Sequence, residues 1–252
     1  MGVEALKEAP CEAASLEEQA RLNEAELRLL EESSLSFLSS LDVDHVVAPW
    51  SGGKDSTAAL LLAFKAFGRR RVHPLFLDTG VEFRETYEYV ESLSRQLGFS
   101  YVKARAGVRE ALKAGRGLPT HGDRWCTAMK VEAAERYVAQ LSRDGRVLVV
   151  VGDREAESEA RLRRPALINH GGYLEAAPIK PWGAIHVQLY LALQGVPANP
   201  MYELGFFRLG CYVCPALQSW ELKIALARPE LAYLKHDELF KALLAQRLAK
   251  PA

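Results

Sequence analysis

Six consecutive residues have side chains and spacing that suit a phosphate group: Ser51, Gly52, Gly53, Lys54, Asp55 and Ser56. A polyphosphate needs backbone N–H groups that can approach it closely, together with a positive charge. The two glycines leave the backbone uncovered, the helical sequence that follows offers unpaired N–H groups, and the lysine supplies charge. The spacing differs from the Walker loop, which requires four residues between its first glycine and the Gly-Lys pair. These residues predict a phosphate-binding loop at a turn from strand to helix.

Two more groups of polar residues stand where predicted strands end. They are Asp78, Thr79 and Gly80 at the end of the predicted strand 72–78, and Gly152, Asp153 and Arg154 at the end of the predicted strand 147–152. In open sheets of parallel strands, ligands bind at the carboxyl ends of the strands near a topological switch. We therefore expect both groups to lie beside the phosphate-binding loop, on one rim of the sheet.

Sulfur chemistry is indicated by the pair Cys211 and Cys214, which is flanked by Gly210 and Pro215. In a cytosolic chain, a Cys-x-x-Cys pair is typical of a metal, cluster or redox site rather than of a structural disulfide. The sequence has two further cysteines, at positions 11 and 126.

The elements that must position these residues follow a strand, loop and helix pattern. Strands are predicted at 46–50, 72–78, 99–103 and 147–152, and helices at 84–97 and 129–141. Apolar strands that alternate with helices predict an α/β fold, a doubly wound parallel sheet with helices on both faces. We expect a helical N-terminal extension over 1–42, the α/β domain over 43–220, and C-terminal helices over 221–252 that pack on the same domain.

The composition is that of a globular protein, since 49% of the 252 residues are hydrophobic. No apolar run reaches the length of a membrane span and no signal peptide is recognisable, so we expect a cytoplasmic protein without a membrane partner. Lys plus Arg equal Asp plus Glu at 32 each. This balance provides no overall electrostatic attraction to nucleic acid.

Four further motifs, together with the loop, make the chain resemble the phosphoadenosine phosphosulfate (PAPS) reductase family of the N-type ATP pyrophosphatase (PP-loop, adenine nucleotide alpha hydrolase-like) superfamily. They are LDTGVEF at 77–83, RWCT at 124–127 with Lys130, GDR at 152–154 with Arg161, and NPMY at 199–202 leading into GCYVCP at 210–215. Five motifs in the family's order are far more specific than one.

The resemblance implies that the loop binds the phosphates or sulfate of an adenine nucleotide: adenosine 5′-phosphosulfate (APS), PAPS or ATP. Lys54, Asp55, Arg154 and Arg161 are then the expected catalytic residues, because guanidinium groups pair with anionic oxygens. The expected nucleotide-binding residues are Ser51, Gly52, Gly53, Lys54, Asp55, Ser56, Asp78, Thr79, Gly80, Gly152 and Arg154. If ATP is the substrate, Asp55 would help to position Mg²⁺.

The resemblance also implies a metal site and partners. Cys126 stands where iron–sulfur relatives carry cluster cysteines, so the expected ligands are Cys126, Cys211 and Cys214. Three thiolates suit a 4Fe-4S cluster with one open iron, or a zinc ion with a fourth ligand such as His121. Cys11 could complete the set only if the N-terminal extension folds back. A thiol carrier such as thioredoxin and a homo-oligomer are expected, whereas tRNA is not favoured by the charge.

Three functions stay open at this point. The first is reduction of activated sulfate to sulfite with a thiol or iron–sulfur-linked donor, which the family motifs favour. Reductases that resemble this fold use a nucleophilic cysteine on a C-terminal tail, whereas this sequence has no cysteine after Cys214. The second is ATP-dependent sulfur or adenylyl transfer, as in tRNA thiolation, with a three-cysteine cluster. The third is a non-catalytic nucleotide-binding module with a structural zinc ion.

Overall fold

The structure is a computed structural model that describes residues 15–248. Its strands are β1 (His45–Pro49), β2 (Val72–Asp78), β3 (Val102–Arg105), β4 (Val147–Val150), β5 (Leu167–Asn169) and β6 (Leu174–Ala176). Its helices are α1 (Leu16–Leu22), α2 (Glu24–Ser39), α3 (Lys54–Phe67), α4 (Arg84–Leu97), α5 (Val108–Lys113), α6 (Trp125–Leu141), α7 (Glu159–Leu162), α8 (Ala184–Leu193), α9 (Pro200–Glu203), α10 (Ser219–Ala227) and α11 (Glu238–Leu248). Short 3₁₀ helices span Glu155–Glu157 and Pro229–His236. Cys11 lies outside the described residues.

The six strands form one sheet in the order β3-β2-β1-β4-β6-β5. Neighbouring strands are parallel, except that β5 pairs with β6 in the antiparallel direction at one edge. The chain runs outward from β1 through β2 and β3 and then returns to β4 on the other side of β1. The predicted α/β fold with a doubly wound parallel sheet is confirmed, with one antiparallel edge strand that the prediction did not include. The reversal between β1 and β4 is where such sheets bind ligands.

Alternating side chains along β1 separate the two faces of the sheet. Val46 and Ala48 belong to a buried cluster with residues of α2, α3 and α8. Val47 points to the other face and belongs to a cluster with Val138 of α6. Helices therefore cover both faces, as expected for parallel strands of continuous apolar character.

A further buried cluster holds the C-terminal helices against the rest of the chain. It includes Trp125 of α6, Leu222 of α10 and Phe240 of α11. A backbone bridge between Glu82 and Cys211 ties the cysteine turn to the segment after β2. The cysteine turn is thereby held at the end of the sheet where the parallel strands finish.

The predicted helical N-terminal extension is represented by α1 and α2 within the described residues. Leu27 is buried in the core cluster that α3 and α8 share, and Oγ of Ser34 donates to the carbonyl oxygen of Pro178 at 2.8 Å. The domain boundaries at 42 and 220 stay a prediction. None of the described helices combines the length and apolar character needed to cross a membrane.

The third strand begins later than predicted. We expected it to start at Phe99, but β3 begins at Val102. The ring of Phe99 packs instead against Trp50 and Phe64, with centroid separations of 5.2 and 5.1 Å. This aromatic contact draws the residues before β3 towards α3, so they do not continue the ladder with β2.

Two helices also differ in extent from the prediction. α6 begins at Trp125, four residues earlier than the predicted start. The C-terminal region 221–252, which was expected to be helical, is divided after α10, because a 3₁₀ helix starts at Pro229 and α11 starts only after Asp237. One carboxylate oxygen of Asp237 accepts hydrogen bonds from the N–H groups of Leu239 and Phe240, which caps the new helix.

Candidate functional site

A cavity of about 540 Å³ opens where β1 and β4 end. Its wall is formed by residues of the loop 51–56, of the segment 151–157 after β4, and of the segment 207–210 before the cysteine turn. Leu75, Phe76 and Leu77 of β2 form part of another side. The loop and the segment after β4 therefore converge, as the sequence predicted.

Internal hydrogen bonds hold the shape of the loop. The N–H of Ser51 donates to Oγ of Ser56 at 3.2 Å, and that hydroxyl donates to the carbonyl oxygen of Gly53 at 3.0 Å. Gly52 has a φ of +74°, which residues with side chains rarely adopt. The first turn of α3, from Lys54, forms part of the cavity wall. A helix start of this kind carries partial positive charge and suits an anion.

Gly152 lets the end of β4 lie directly against the start of α3. A Cβ atom on Gly152 would be 2.6 Å from the carbonyl carbon of Asp55 and 2.8 Å from the backbone nitrogen of Ser56. These are backbone atoms, so a side chain could not be accommodated without moving the helix. The glycine predicted from the motif at 152–154 is therefore required by close packing.

The four predicted catalytic residues form one network of ion pairs in the wall. One carboxylate oxygen of Asp55 accepts a hydrogen bond from Nζ of Lys54 at 2.8 Å, and the other accepts one from Nε of Arg154 at 2.6 Å. Arg154 is only 5% exposed, and Arg161 forms an ion pair with Glu157. Asp55 thus forms ion pairs with two cationic side chains and holds both of them in the cavity wall.

The predicted residues at the end of β2 do not contribute to the cavity wall. The carboxylate of Asp78 accepts hydrogen bonds from the hydroxyl of Tyr87 and the N–H of Gly80, and it lies 3.2 Å from Nζ of Lys103. Burial would raise the pKa of Asp78, but these hydrogen bonds and the Lys103 charge lower it overall. Thr79 is buried. A role for these residues in nucleotide binding stays a prediction.

The motif at 199–202 supports the loop, a role that the sequence analysis did not assign. Nδ2 of Asn199 donates to the carbonyl oxygen of Gly52 at 3.3 Å, and Asn199 is 1% exposed. The N–H of Lys54 donates to the hydroxyl of Tyr202 at 3.1 Å. The motif therefore holds the backbone on both sides of Gly53 in place.

Two further cationic residues line the wall, and the sequence analysis assigned neither of them a role in the site, although it named Lys130 within a motif. Lys130 comes from α6 and Arg208 from the segment before the cysteine turn. Neither forms an ion pair with any residue in the described range 15–248. Unpaired cations in a cavity wall attract anionic ligands. Because these two segments are far apart in the sequence, only the folded structure shows that both residues line the same cavity.

The cysteine pair lies next to this cavity. The N–H of Cys214 donates to the carbonyl oxygen of Cys211 at 3.0 Å, which closes a tight turn. The hydrogen bond between the two thiols, followed by burial, raises the pKa of Cys211. The same hydrogen bond lowers the pKa of Cys214, helped by the N–H of Ala216 and the charge of Lys130 and opposed by burial.

Cys126 belongs to the buried C-terminal cluster, against which Cys211 also packs. Cys126 stands in the first turn of α6 and is 7% exposed. Within residues 15–248, no three side chains of His, Cys, Asp or Glu type come together closely enough to hold a metal ion. The structure thus does not assemble the expected set of Cys126, Cys211 and Cys214, and His121 adds no fourth ligand. Iron–sulfur or zinc content stays a prediction.

Comparison with known families identifies the motif-bearing part of the chain. Residues 45–217 match the phosphoadenosine phosphosulfate reductase domain. An uncharacterized protein of Methanocaldococcus jannaschii is 34% identical over 221 residues, which cover 84% of this chain and 45% of that protein. A second protein of that organism is matched over 54% of its length. The chain therefore spans about half the length of these relatives.

Two further similarities come from proteins with named activities. The adenosine 5′-phosphosulfate reductase of Chelativorans sp. is 29% identical over 65% of this chain and 66% of that protein. The crystal structure of a PAPS reductase from Candida auris in complex with phosphate superposes with a TM-score of 0.57. That match covers 80% of this chain and 98% of the other at 22% identity, so it shows a shared fold.

Proposed function

Because this chain belongs to the phosphoadenosine phosphosulfate reductase domain family, we propose that it reduces the activated sulfate of an adenosine phosphosulfate to sulfite. Relatives that it matches are named as reductases of APS and of PAPS. In this proposal the cavity binds the nucleotide and thiols supply the electrons. A thiol carrier protein then restores the thiols after each turnover.

The observation that supports this function most is the position of the cysteine pair beside a phosphate-binding cavity. The segment 207–210 lines the cavity and continues directly into Cys211. A nucleotide with its phosphosulfate on the loop 51–56 would have its reactive sulfur close to thiols. Reduction of that sulfur requires such a nucleophile.

The charges of the wall support an anionic substrate that needs no added cation. Lys54 and Arg154 already occupy both carboxylate oxygens of Asp55. Mg²⁺ prefers oxygen ligands that are free to coordinate it. Lys130 and Arg208 supply the positive charge that a phosphosulfate would meet. This arrangement favours a sulfonucleotide over the ATP-dependent transfer that the sequence left open.

The apolar side of the cavity suits the adenosine part of the substrate. Leu75, Phe76 and Leu77 line it at the end of β2. Ligand pockets of this size combine apolar walls with a few polar groups that set orientation. With the base on β2 and the phosphosulfate on the loop, the sulfonate end would point towards Lys130.

Lys54→Ala tests the proposed binding mode. Loss of a charge-assisted hydrogen bond costs about 1.5–3 kcal/mol, so we expect affinity for APS or PAPS to fall about ten- to a hundredfold in calorimetry. Lys113→Ala is the matched control, because Lys113 is an exposed lysine at the end of α5, away from the cavity.

Activity is measured as sulfite released from APS and from PAPS with a reduced dithiol carrier protein. Release from either nucleotide, lost in Lys54→Ala and kept in Lys113→Ala, is the expected result. If neither nucleotide binds or releases sulfite, while ATP binds with Mg²⁺ and is cleaved, the proposal is wrong and ATP-dependent transfer takes its place.

A further inference from the structure

We propose, on the premise of the function above, that Cys214 and Cys211 form an internal dithiol that reduces the bound sulfonucleotide. Cys214 is the nucleophile and Cys211 is the resolving thiol. The reaction then uses two cysteines of this domain, where the sequence analysis had expected both to be metal ligands.

The turn geometry brings the two sulfur atoms together. The hydrogen bond from the N–H of Cys214 to the carbonyl oxygen of Cys211 closes the turn. Each thiol also shifts the pKa of the other, so the two side chains are neighbours. Neighbouring thiols in a Cys-x-x-Cys turn exchange readily between the dithiol and the disulfide.

Gly210 lies between the cavity and Cys214. Gly210 lines the cavity, and a Cβ atom placed on it would be 4.0 Å from Sγ of Cys214. The sulfur of Cys214 therefore lies directly behind Gly210, a residue of the cavity wall that has no side chain. A larger residue at Gly210 would fill the space between substrate and sulfur.

Charge at this end of the cavity suits a sulfonate. Lys130 and Glu82 both line the cavity near the thiols. The charge of Lys130 acts on Cys211 and Cys214, whereas the charge of Glu82, whose carboxylate accepts a hydrogen bond from Oγ1 of Thr79 at 2.9 Å, acts on Cys211. The ammonium group of Lys130 has no carboxylate partner in the described part of the chain. A sulfonate drawn to Lys130 is thus brought to the side of the cavity where the thiols are.

The ligand set for a metal centre does not form around the pair. The third cysteine, Cys126, is buried in the C-terminal cluster against which Cys211 also packs. No group of three potential ligands is present in residues 15–248. Two thiols without a third ligand are suited to two-electron exchange between dithiol and disulfide.

The chemistry balances with these two thiols as the electron source. The Cys214 thiolate attacks the sulfonate sulfur, forms an S–S bond and breaks the bond between that sulfur and the bridging oxygen, which leaves with the nucleotide phosphate. The Cys211 thiolate then attacks Sγ of Cys214, and sulfite leaves with the electron pair of the bond that breaks. Both thiol protons pass to water, and an external dithiol carrier protein reduces the resulting disulfide by exchange.

A single turnover without external reductant tests this sequence of steps. The pre-reduced protein is mixed with excess APS or PAPS, and sulfite is measured together with the intact mass and a peptide map. We expect one sulfite per chain and one new disulfide between Cys211 and Cys214. Sulfite formation without that disulfide would overturn the proposal and leave the reductase function standing.

Variants of the two cysteines separate the steps. Cys211→Ser should stop after the first attack and accumulate a sulfonate on Cys214 that mass spectrometry detects, with no sulfite released. Cys214→Ser should form neither product and still bind the nucleotide in calorimetry. Equal sulfite release by Cys211→Ser and the unmodified protein would refute the resolving role.

Gly210→Val tests the path to the sulfur with both cysteines intact. We expect the rate of thiosulfonate formation at saturating nucleotide to fall at least tenfold, so that any change in affinity does not enter the comparison. A redox titration against a dithiol buffer, without nucleotide, measures disulfide formation independently of catalysis. A disulfide in that titration without any turnover of either nucleotide would count against the proposed function only, whereas iron or zinc bound by all three cysteines would overturn the dithiol.

Discussion

Arg208 is a residue whose importance depends on its neighbours in space. It lines the cavity beside the exposed side chain of Phe207 and has no ion-pair partner in the part of the chain that the structure describes. By contrast, the guanidinium of Arg154 is buried and committed to Asp55. Arg208 is therefore available to bind a ligand, whereas Arg154 holds the residues of the cavity wall in place.

Arg208→Ala should weaken binding of the sulfonucleotide. A charge-assisted hydrogen bond is worth about 1.5–3 kcal/mol, so the dissociation constant should rise about ten- to a hundredfold. Arg208→Lys keeps the charge and should recover part of the loss. Calorimetry at low and moderate salt measures both effects.

Arg143→Ala is the matched control for this measurement, because Arg143 is exposed at the end of α6. Its affinity should equal that of the unmodified protein. Equal affinities for Arg208→Ala and Arg143→Ala would show that the ligand does not reach Arg208.

Site residues that belong to one short motif could be predicted from the sequence. The loop 51–56 and the arginines at 154 and 161 were identified from spacing and resemblance, and they lie together in the cavity wall. Lys130 and Arg208 were not paired in advance, because their contact with one cavity arises from packing between α6 and the C-terminal cluster. Spacing along a sequence carries no information on such a contact.

At the scale of elements, the junction of β4 with α3 depends on Gly152. A Cβ atom there would meet backbone atoms of Asp55 and Ser56 at 2.6 to 2.8 Å. Gly152→Ala should therefore displace the start of α3, lower stability by about 1–3 kcal/mol as overpacking does, and reduce nucleotide affinity at least tenfold. Denaturant titration and calorimetry measure the two effects.

Gly172→Ala provides a control with the same chemical change. A Cβ atom on Gly172 would meet no heavy atom within 4 Å. Its stability should stay within about 0.5 kcal/mol of the unmodified protein, as is usual for surface changes. If Gly152→Ala behaves like Gly172→Ala, the close approach of β4 to α3 is not what holds the loop.

The hydrogen bond from Asn199, in the motif at 199–202, to the loop 51–56 is a second contact that joins separate elements. Asn199→Ala removes the hydrogen bond to the carbonyl oxygen of Gly52 and the cap on the N–H of Met201. Leaving these groups unsatisfied in a buried site should cost about 1–3 kcal/mol in urea unfolding. Asn199→Asp keeps an oxygen that can accept from the N–H of Met201, so its free energy of unfolding should fall by less. Equal losses in both variants would mean that the whole effect comes from the hydrogen bond that Nδ2 donates to Gly52.

Long apolar elements were predictable and short irregular ones were not. The helix over 84–97 has the bounds that its pattern predicted, because apolar residues recur along one face and Gly98 ends it with a φ of +65°. The hairpin of β5 and β6 was missed, since each strand has only three residues and the pairing turns at Gly171. Three residues are too few for a period to emerge.

At the scale of the whole molecule, the central sheet carries a buried polar group without a partner. Nε2 of His73 on β2 is buried and has no hydrogen-bond partner among residues 15–248, while Nδ1 lies 3.1 Å from the hydroxyl of Tyr137. Burial, and then the nearby ring of His45, lower the pKa of His73 from its ordinary value of 6.5. His73 is therefore neutral in the folded protein at a pH where the unfolded chain already binds a proton.

The free energy of unfolding should consequently fall as the pH decreases below 6.5. The unfolded state gains a proton at that imidazole first, so protonation favours unfolding until the pH reaches the lower pKa of the folded state. Above about pH 7.5 both states are neutral at His73 and its contribution is constant. Urea unfolding between pH 7.5 and about pH 5 measures the slope.

His73→Phe should reduce this slope because it removes the buried imidazole, whatever its effect on stability at neutral pH. His236→Gln is the control, since His236 is exposed and should leave the slope unchanged. The comparison is between slopes, so a general loss of packing in His73→Phe does not disturb it. An unchanged slope in His73→Phe would show that His73 is not the source of the acid sensitivity. Carboxylates such as Asp78 and Asp237 do not account for a slope in this window, because their lowered pKa values reduce stability only below about pH 4.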